Sequence, residues 1–155
     1  MHTKRMVILI LLASASSLFG SDKSPSQILN GKPAATINGS SRYYNNVGAF
    51  AGRSTSSGNT SRLYDSQGRQ AGRVDSSKTS ARQYGPNGAN SGRTTNSNNT
   101  TRFYDSKGSF SGRAAISGGT TRFYDSRGAF SGRAETSGGT TRYYDSHGRL
   151  AGSKR

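Results

Sequence analysis

The sequence predicts an all-β protein: tandem 20-residue β-hairpin repeats forming an open twisted meander or solenoid-like array, preceded by a cleavable signal helix. Three observations lead there. A unit restarts every 20 residues, at Ser41, Ser61, Ala81, Thr101, Thr121 and Thr141, without a slip. Within each unit two short runs rich in β-forming residues flank an Asp-Ser-x-Gly turn sequence or a variant of it. Two glycines also recur in every unit, and in a helix each would cost about 1 kcal/mol. A fixed short period marks a supersecondary unit that buries its apolar face only against its neighbours.

The first segment, 1–20, differs from the rest. Lys4 and Arg5 precede the apolar run Met6 to Leu12, and the small residues Ala13 to Ser17 follow. This is the order of a secretory signal peptide, with Ala13-Ser14-Ala15 as an A-x-A cleavage pattern. The apolar stretch falls short of the ~20 residues that span a bilayer. Residues 21–39 carry Pro25 and Pro33 among Ser, Asn, Gly and Lys, and read as a flexible leader. Residues 40–155 hold the six repeats. No cysteine occurs, so an exported chain must draw its stability from backbone pairing and packing. That combination points to a secreted, periplasmic or cell-surface protein of bacterial origin.

After residue 20 only thirteen Val, Ile, Leu and Phe remain, with eight Tyr. Such a supply is thin against about 1–2 kcal/mol of backbone entropy per ordered residue. The aromatics nevertheless recur at fixed unit positions, which is unlike a disordered chain. In the unit from Thr121, Thr-Arg-Phe-Tyr is the first strand and Asp125-Ser126-Arg127-Gly128 the turn. Asp caps such a turn through its own side chain, and Gly supplies positive φ. Ala129 to Ala134 returns, and Ser137-Gly138-Gly139 leads onward.

With a four-residue loop, unit position three would face position ten across the hairpin. The expected pairs are Tyr43/Phe50, Leu63/Gln70, Gln83/Asn90, Phe103/Phe110, Phe123/Phe130 and Tyr143/Leu150. On the opposite face lie an arginine column (Arg42, Arg62, Arg82, Arg102, Arg122, Arg142) and a tyrosine column (Tyr44, Tyr64, Tyr84, Tyr104, Tyr124, Tyr144). Two residues apart on a strand, they share one side. Ala or Ser is expected opposite each of these arginines, and a second column, Arg53 to Arg133, follows in five units.

The strings Tyr64-Asp65-Ser66-Gln67-Gly68-Arg69 and Tyr144-Asp145-Ser146-His147-Gly148-Arg149 resemble the YD repeats of the bacterial RHS and teneurin families. That resemblance implies hairpin units that spiral into a shell around a toxin or build an extracellular scaffold. This chain departs from the pattern at Asn45 and Gly85, has six units and is far richer in arginine. A weaker likeness is to MORN repeats, which share a Tyr and spaced glycines.

The residues offer no catalytic constellation. Histidine occurs only as His2 and His147, no serine has an adjacent base, and Asp65, Asp105, Asp125 and Asp145 are explained as turn caps. Their spacing matches no calcium repeat, so no enzyme activity, metal or cofactor is expected. Charge is the strongest functional signal. The chain carries +15, and removal of Lys4 and Arg5 leaves +13, nearly all of it arginine at repeated positions. The twelve residues of the two columns are therefore the candidate site, with Arg contacting phosphates and Tyr adding stacking. The expected partner is an anionic polymer: lipopolysaccharide, teichoic acid, an acidic polysaccharide or extracellular nucleic acid. Two other readings are a self-associating, curli-like surface fibre and a YD-repeat accessory of a toxin or adhesin system.

Overall fold

A computed structural model describes residues 39–155. The expected signal peptide, and the leader up to residue 38, lie outside the described residues. Twelve strands follow in chain order: β1 (Gly39–Asn45), β2 (Phe50–Ser57), β3 (Thr60–Asp65), β4 (Gln70–Ser76), β5 (Ser80–Tyr84) and β6 (Asn90–Ser97), then β7 (Thr100–Asp105), β8 (Phe110–Ser117), β9 (Thr120–Asp125), β10 (Phe130–Ser137), β11 (Thr140–Asp145) and β12 (Leu150–Lys154). Each strand pairs antiparallel with its sequence neighbours, and β12 returns to β1, so the sheet is a closed barrel. The hairpin repeats stand as expected, but the open array does not. Twelve right-twisting strands coil far enough for the last to meet the first, and closure satisfies the two edges that an open sheet would expose.

Two kinds of turn punctuate the ring. At one rim, Asp125 Oδ1 accepts the backbone N–H of Arg127 (2.9 Å) and of Ala129 (2.8 Å). Asn45, Asp65, Asp105 and Asp145 hold their turns in the same way. At the other rim, the links after β2, β6, β8 and β10 are two-residue turns whose first residue has positive φ: Gly58, Asn98, Gly118 and Gly138. Such turns match the twist of the strands they join.

The register differs from the sequence expectation. Tyr43 faces Gly52 rather than Phe50, and Tyr44 faces Phe50. The same holds at Leu63/Gly72, Gln83/Gly92, Phe103/Gly112, Phe123/Gly132 and Tyr143/Gly152. The loop is one residue shorter than expected, because the Asp already pairs with the residue after the Gly. A β-bulge on each returning strand then adds one more residue of offset. Position ten consequently turns to the outer wall, and position three alone faces inward.

The core lies inside the ring. Tyr43, Leu63, Gln83, Phe103, Phe123 and Tyr143 are all buried. Each faces a glycine on its own hairpin. Five of them meet a small or β-branched residue across the next junction: Leu63 with Ser54, Gln83 with Val74, Phe103 with Thr94, Phe123 with Ala114, and Tyr143 with Ala134. Large side chains thus alternate with small ones around the inner wall, as a small barrel interior requires. Phe103, Phe123 and Tyr143 form one apolar cluster with Ala114 and Ala134. Leu63, Ala71, Val74 and Ala81 form a second. Buried Tyr43 shares a 2.8 Å hydrogen bond with Ser54, which makes burial of its hydroxyl tolerable.

Candidate polyanion interface on the outer wall

The outer wall carries both predicted columns, in an arrangement the sequence did not disclose. Arg42 is paired across the hairpin with Arg53, not with a small residue. Arg62/Arg73, Arg82/Arg93, Arg102/Arg113 and Arg122/Arg133 repeat this. The expectation of Ala or Ser opposite the first arginine column is corrected by the same two-residue offset that moved position ten outward. In the sixth unit Arg142 faces Ser153.

The second arginine of each pair does not stand free. Across the next junction it lies over the tyrosine of the following unit: Arg53 on Tyr64 (4.9 Å to the ring centroid), Arg73 on Tyr84 (4.5 Å), Arg93 on Tyr104 (4.5 Å), Arg113 on Tyr124 (4.3 Å) and Arg133 on Tyr144 (4.7 Å). Where Ser153 interrupts the column, Arg155 takes the place and covers Tyr44 at 5.4 Å. The tyrosines of the candidate site are therefore used internally, as platforms that orient guanidinium groups. One face of each of these rings is thus covered by an arginine.

The first column behaves differently. Arg42, Arg62, Arg82, Arg102, Arg122 and Arg142 are all exposed. Among the described residues the salt bridges go to Arg69, Arg73, Arg133 and Arg149, and none to this column. The cross-strand neighbours of these arginines vary: Thr55, Thr95 and Ala115 beside Arg62, Arg102 and Arg122, but Asp75 and Glu135 beside Arg82 and Arg142. From β6 to β9 four arginines, Arg93, Arg102, Arg113 and Arg122, stand on consecutive strands with no acid among their outward cross-strand neighbours. Directly opposed like charges destabilise a sheet; at a spacing of about 5 Å in water the repulsion approaches 0.8 kcal/mol per pair. An anion lying between the two heads removes that penalty.

The carboxylates at the turns serve structure. The Arg69 side chain, donating to Asp65 at 2.7 Å, is the main cause that lowers the Asp65 pKa, with the turn N–H groups adding to it against burial. At Asp145 burial works to raise the pKa, yet hydrogen bonds from the Arg149 backbone, the Arg149 side chain and His147 outweigh it and lower the value. Among the described residues no three His, Cys, Asp or Glu gather in one place. His147 lies in an exposed turn, where its ring nitrogen shares a 3.3 Å hydrogen bond with Ser146.

Sequence reasoning noticed the second arginine column but left it outside the site; the missing signal was the bulge that aligns it with the first. It also set Phe50, Phe110 and Phe130 opposite Tyr43, Phe103 and Phe123, on the face away from the Arg and Tyr columns. They instead meet Tyr44, Tyr104 and Tyr124 edge-on at 6.1–6.2 Å on the outer wall. That wall does not suit the interior of a bilayer. Strands of 5–8 residues are short for a membrane barrel, and each mid-strand arginine facing lipid would cost about 2–4 kcal/mol.

No family model matches the chain, and no curated protein does. Among solved structures, alternansucrase in complex with isomaltononaose is similar over 64% of this chain at 21% identity, with a TM-score of 0.21. This chain spans only 9% of that protein, and a likeness at that score carries no argument about fold or ligand.

Proposed function

We propose that this is an exported, non-catalytic binding or scaffold protein whose outer barrel wall presents arginine rows to an anionic polymer of the cell envelope or extracellular space. The observation that supports it is the set of five cross-strand arginine pairs. In each, one guanidinium is held by a tyrosine and its neighbour is left without an ionic partner among the described residues. Equivalent pairs recur two strands apart, about 9.6 Å around the wall, so a flexible chain of phosphates, sulfates or carboxylates meets one pair after another. From Gly39 onward, eighteen Arg and Lys stand against six Asp and Glu. Lipopolysaccharide, teichoic acid, acidic polysaccharide and extracellular nucleic acid all supply the complementary charge.

Binding of this kind weakens steeply with salt as counterions are released. Retention of the mature protein on heparin, eluted with a salt gradient, is the test. Replacing Arg62, Arg102 and Arg122 together with Gln removes three unpaired heads and leaves every stacked arginine in place. Elution at clearly lower salt is expected, and unchanged elution would reduce the rows to a solubilising coat.

The fibre reading draws less support, because ring closure pairs strands on both sides and charged outer columns resist stacking. The accessory role in a toxin or adhesin system rests on the Tyr-Asp-x-x-Gly-Arg strings alone.

A further inference from the structure

Every large hydrophobic residue exposed among the described residues lies at one rim. Val47 exposes 80% of its surface, and Phe50, Phe110, Phe130 and Leu150 expose between 42% and 44%. All belong to the end closed by the Asp turns. They come from units four, five, six and one, which are consecutive only because β12 pairs with β1. Closure therefore assembles Phe110, Phe130, Leu150 and Phe50 into one arc, with Val47 at its end. Units two and three break the ring with Gln70 and Asn90 at the equivalent position. Neighbours along the arc are two strands apart, so it runs for roughly 30 Å.

We propose that this arc docks the barrel, by its edge, onto the headgroup layer of an anionic lipid bilayer. The occupant follows from how charge is layered behind the apolar residues. Past the bulge on each returning strand, two partner-strand residues or about 7 Å from the arc, lie Arg53, Arg113 and Arg133, the last also bonded to Glu135 at 2.7 Å, with Arg102, Arg122 and Arg142 beside or near them. Side chains that sink to the acyl boundary enter by about 5–10 Å, which sets those arginines level with lipid phosphates. Lys107 and Arg127 lie in the turns of the same arc. The three carboxylates there, Asp105, Asp125 and Asp145, each accept two backbone N–H groups of their own turn. Asp145 is further bound to Arg149 at 2.9 Å. Leu150 and Val47 argue for hydrocarbon over sugar, since neither offers a ring face or a hydrogen bond to a polysaccharide. The apolar rim carries this inference by itself, whereas the arginines behind it are shared with the polymer reading; heparin and vesicles therefore have to be tested side by side.

The chain contains no tryptophan, so a single introduced indole reports its own surroundings. In the mature protein, Phe130→Trp should shift its emission to the blue on vesicles of phosphatidylcholine with phosphatidylglycerol. Phosphatidylcholine alone should leave it unchanged. Gln70→Trp, on the broken side of the ring, should not respond to either. The combined variant Phe110→Ser, Phe130→Ser and Leu150→Ser should sediment with the anionic vesicles at least tenfold more weakly while keeping its retention on heparin. Wild-type protein held by heparin but left in solution by the vesicles overturns the docking and spares the polymer reading. Binding to vesicles without retention on heparin supports the docking and overturns the polymer reading instead. Equal shifts at positions 130 and 70, or full sedimentation of the triple variant, also overturn the docking.

Discussion

Unit three (Ala81–Thr100) and unit five (Thr121–Thr140) fold into the same hairpin from different residues. Unit five puts Phe123 inside, caps its turn with Asp125 and places Phe130 against Tyr124. Unit three has Gln83, Gly85 and Asn90 at those three positions. Yet Gln83 still faces Gly92, Arg82 still faces Arg93, and Tyr84 still meets position ten. The register is thus not set by the apolar residues that differ. It is carried by what the units share: the bulge glycine, the turn glycine and the outer rows of Arg and Tyr.

The largest expected difference between the two units is in the core. Phe123→Ala should destabilise the barrel by about 3–5 kcal/mol, read from the thermal midpoint. Gln83→Ala should cost clearly less, because Gln83 lies outside both apolar clusters. Equal losses would mean that the inner wall depends on volume alone.

The bulge glycines should behave alike in both units. A Cβ on Gly132 would lie 2.4 Å from the Tyr144 carbonyl oxygen, and its φ is +150°. Gly92 has φ 152°. Gly132→Ala and Gly92→Ala should each lower stability by about 2–3 kcal/mol. A harmless Gly92→Ala would break the claim that unit three keeps its register through this residue.

At the turns the units should respond in opposite directions. Asp125→Ala removes two hydrogen bonds to turn N–H groups and should cost about 1 kcal/mol. Unit three partly replaces the cap with Asn87, whose side chain accepts the Ala89 N–H at 3.1 Å. Gly85→Asp should therefore stabilise, by less than 1 kcal/mol, in a denaturant titration.

The smallest effect is one of pH. Asp65 and Asp145 have folded pKa values below the ordinary carboxylate value. Their contribution is complete above about pH 4, the unfolded range. It is lost as acid carries the pH down through the lower folded values. The thermal midpoint should fall between pH 4 and pH 2, and Asp65→Asn with Asp145→Asn should flatten that fall.

The sequence disclosed the period, the hairpins, the turn residues and the outward Arg42 and Tyr44 columns, because each is written in local spacing. Two features were hidden. The bulge at Ala51–Gly52 changes the register without changing the repeat, so the recurring Gly52 column gave no sign of the offset. Closure depends on twist summed over twelve strands, a property that no single unit displays. Both errors had functional consequences. The first concealed that Arg42 stands beside Arg53, and the second that Phe50 of the first unit neighbours Leu150 of the last.

The junction that closes the ring is the lightest in the wall. Tyr43, Tyr44 and Asn45 pair with β12, and Arg155 exchanges two backbone hydrogen bonds with Arg42. Arg155 also supplies the guanidinium that Ser153 withholds from Tyr44. One side chain from outside the column thus stands in for a missing member of a sixfold pattern. Removing Arg155 would leave a cylinder with an unlatched door: intact in eleven of its joints, and prone to swing open at the twelfth.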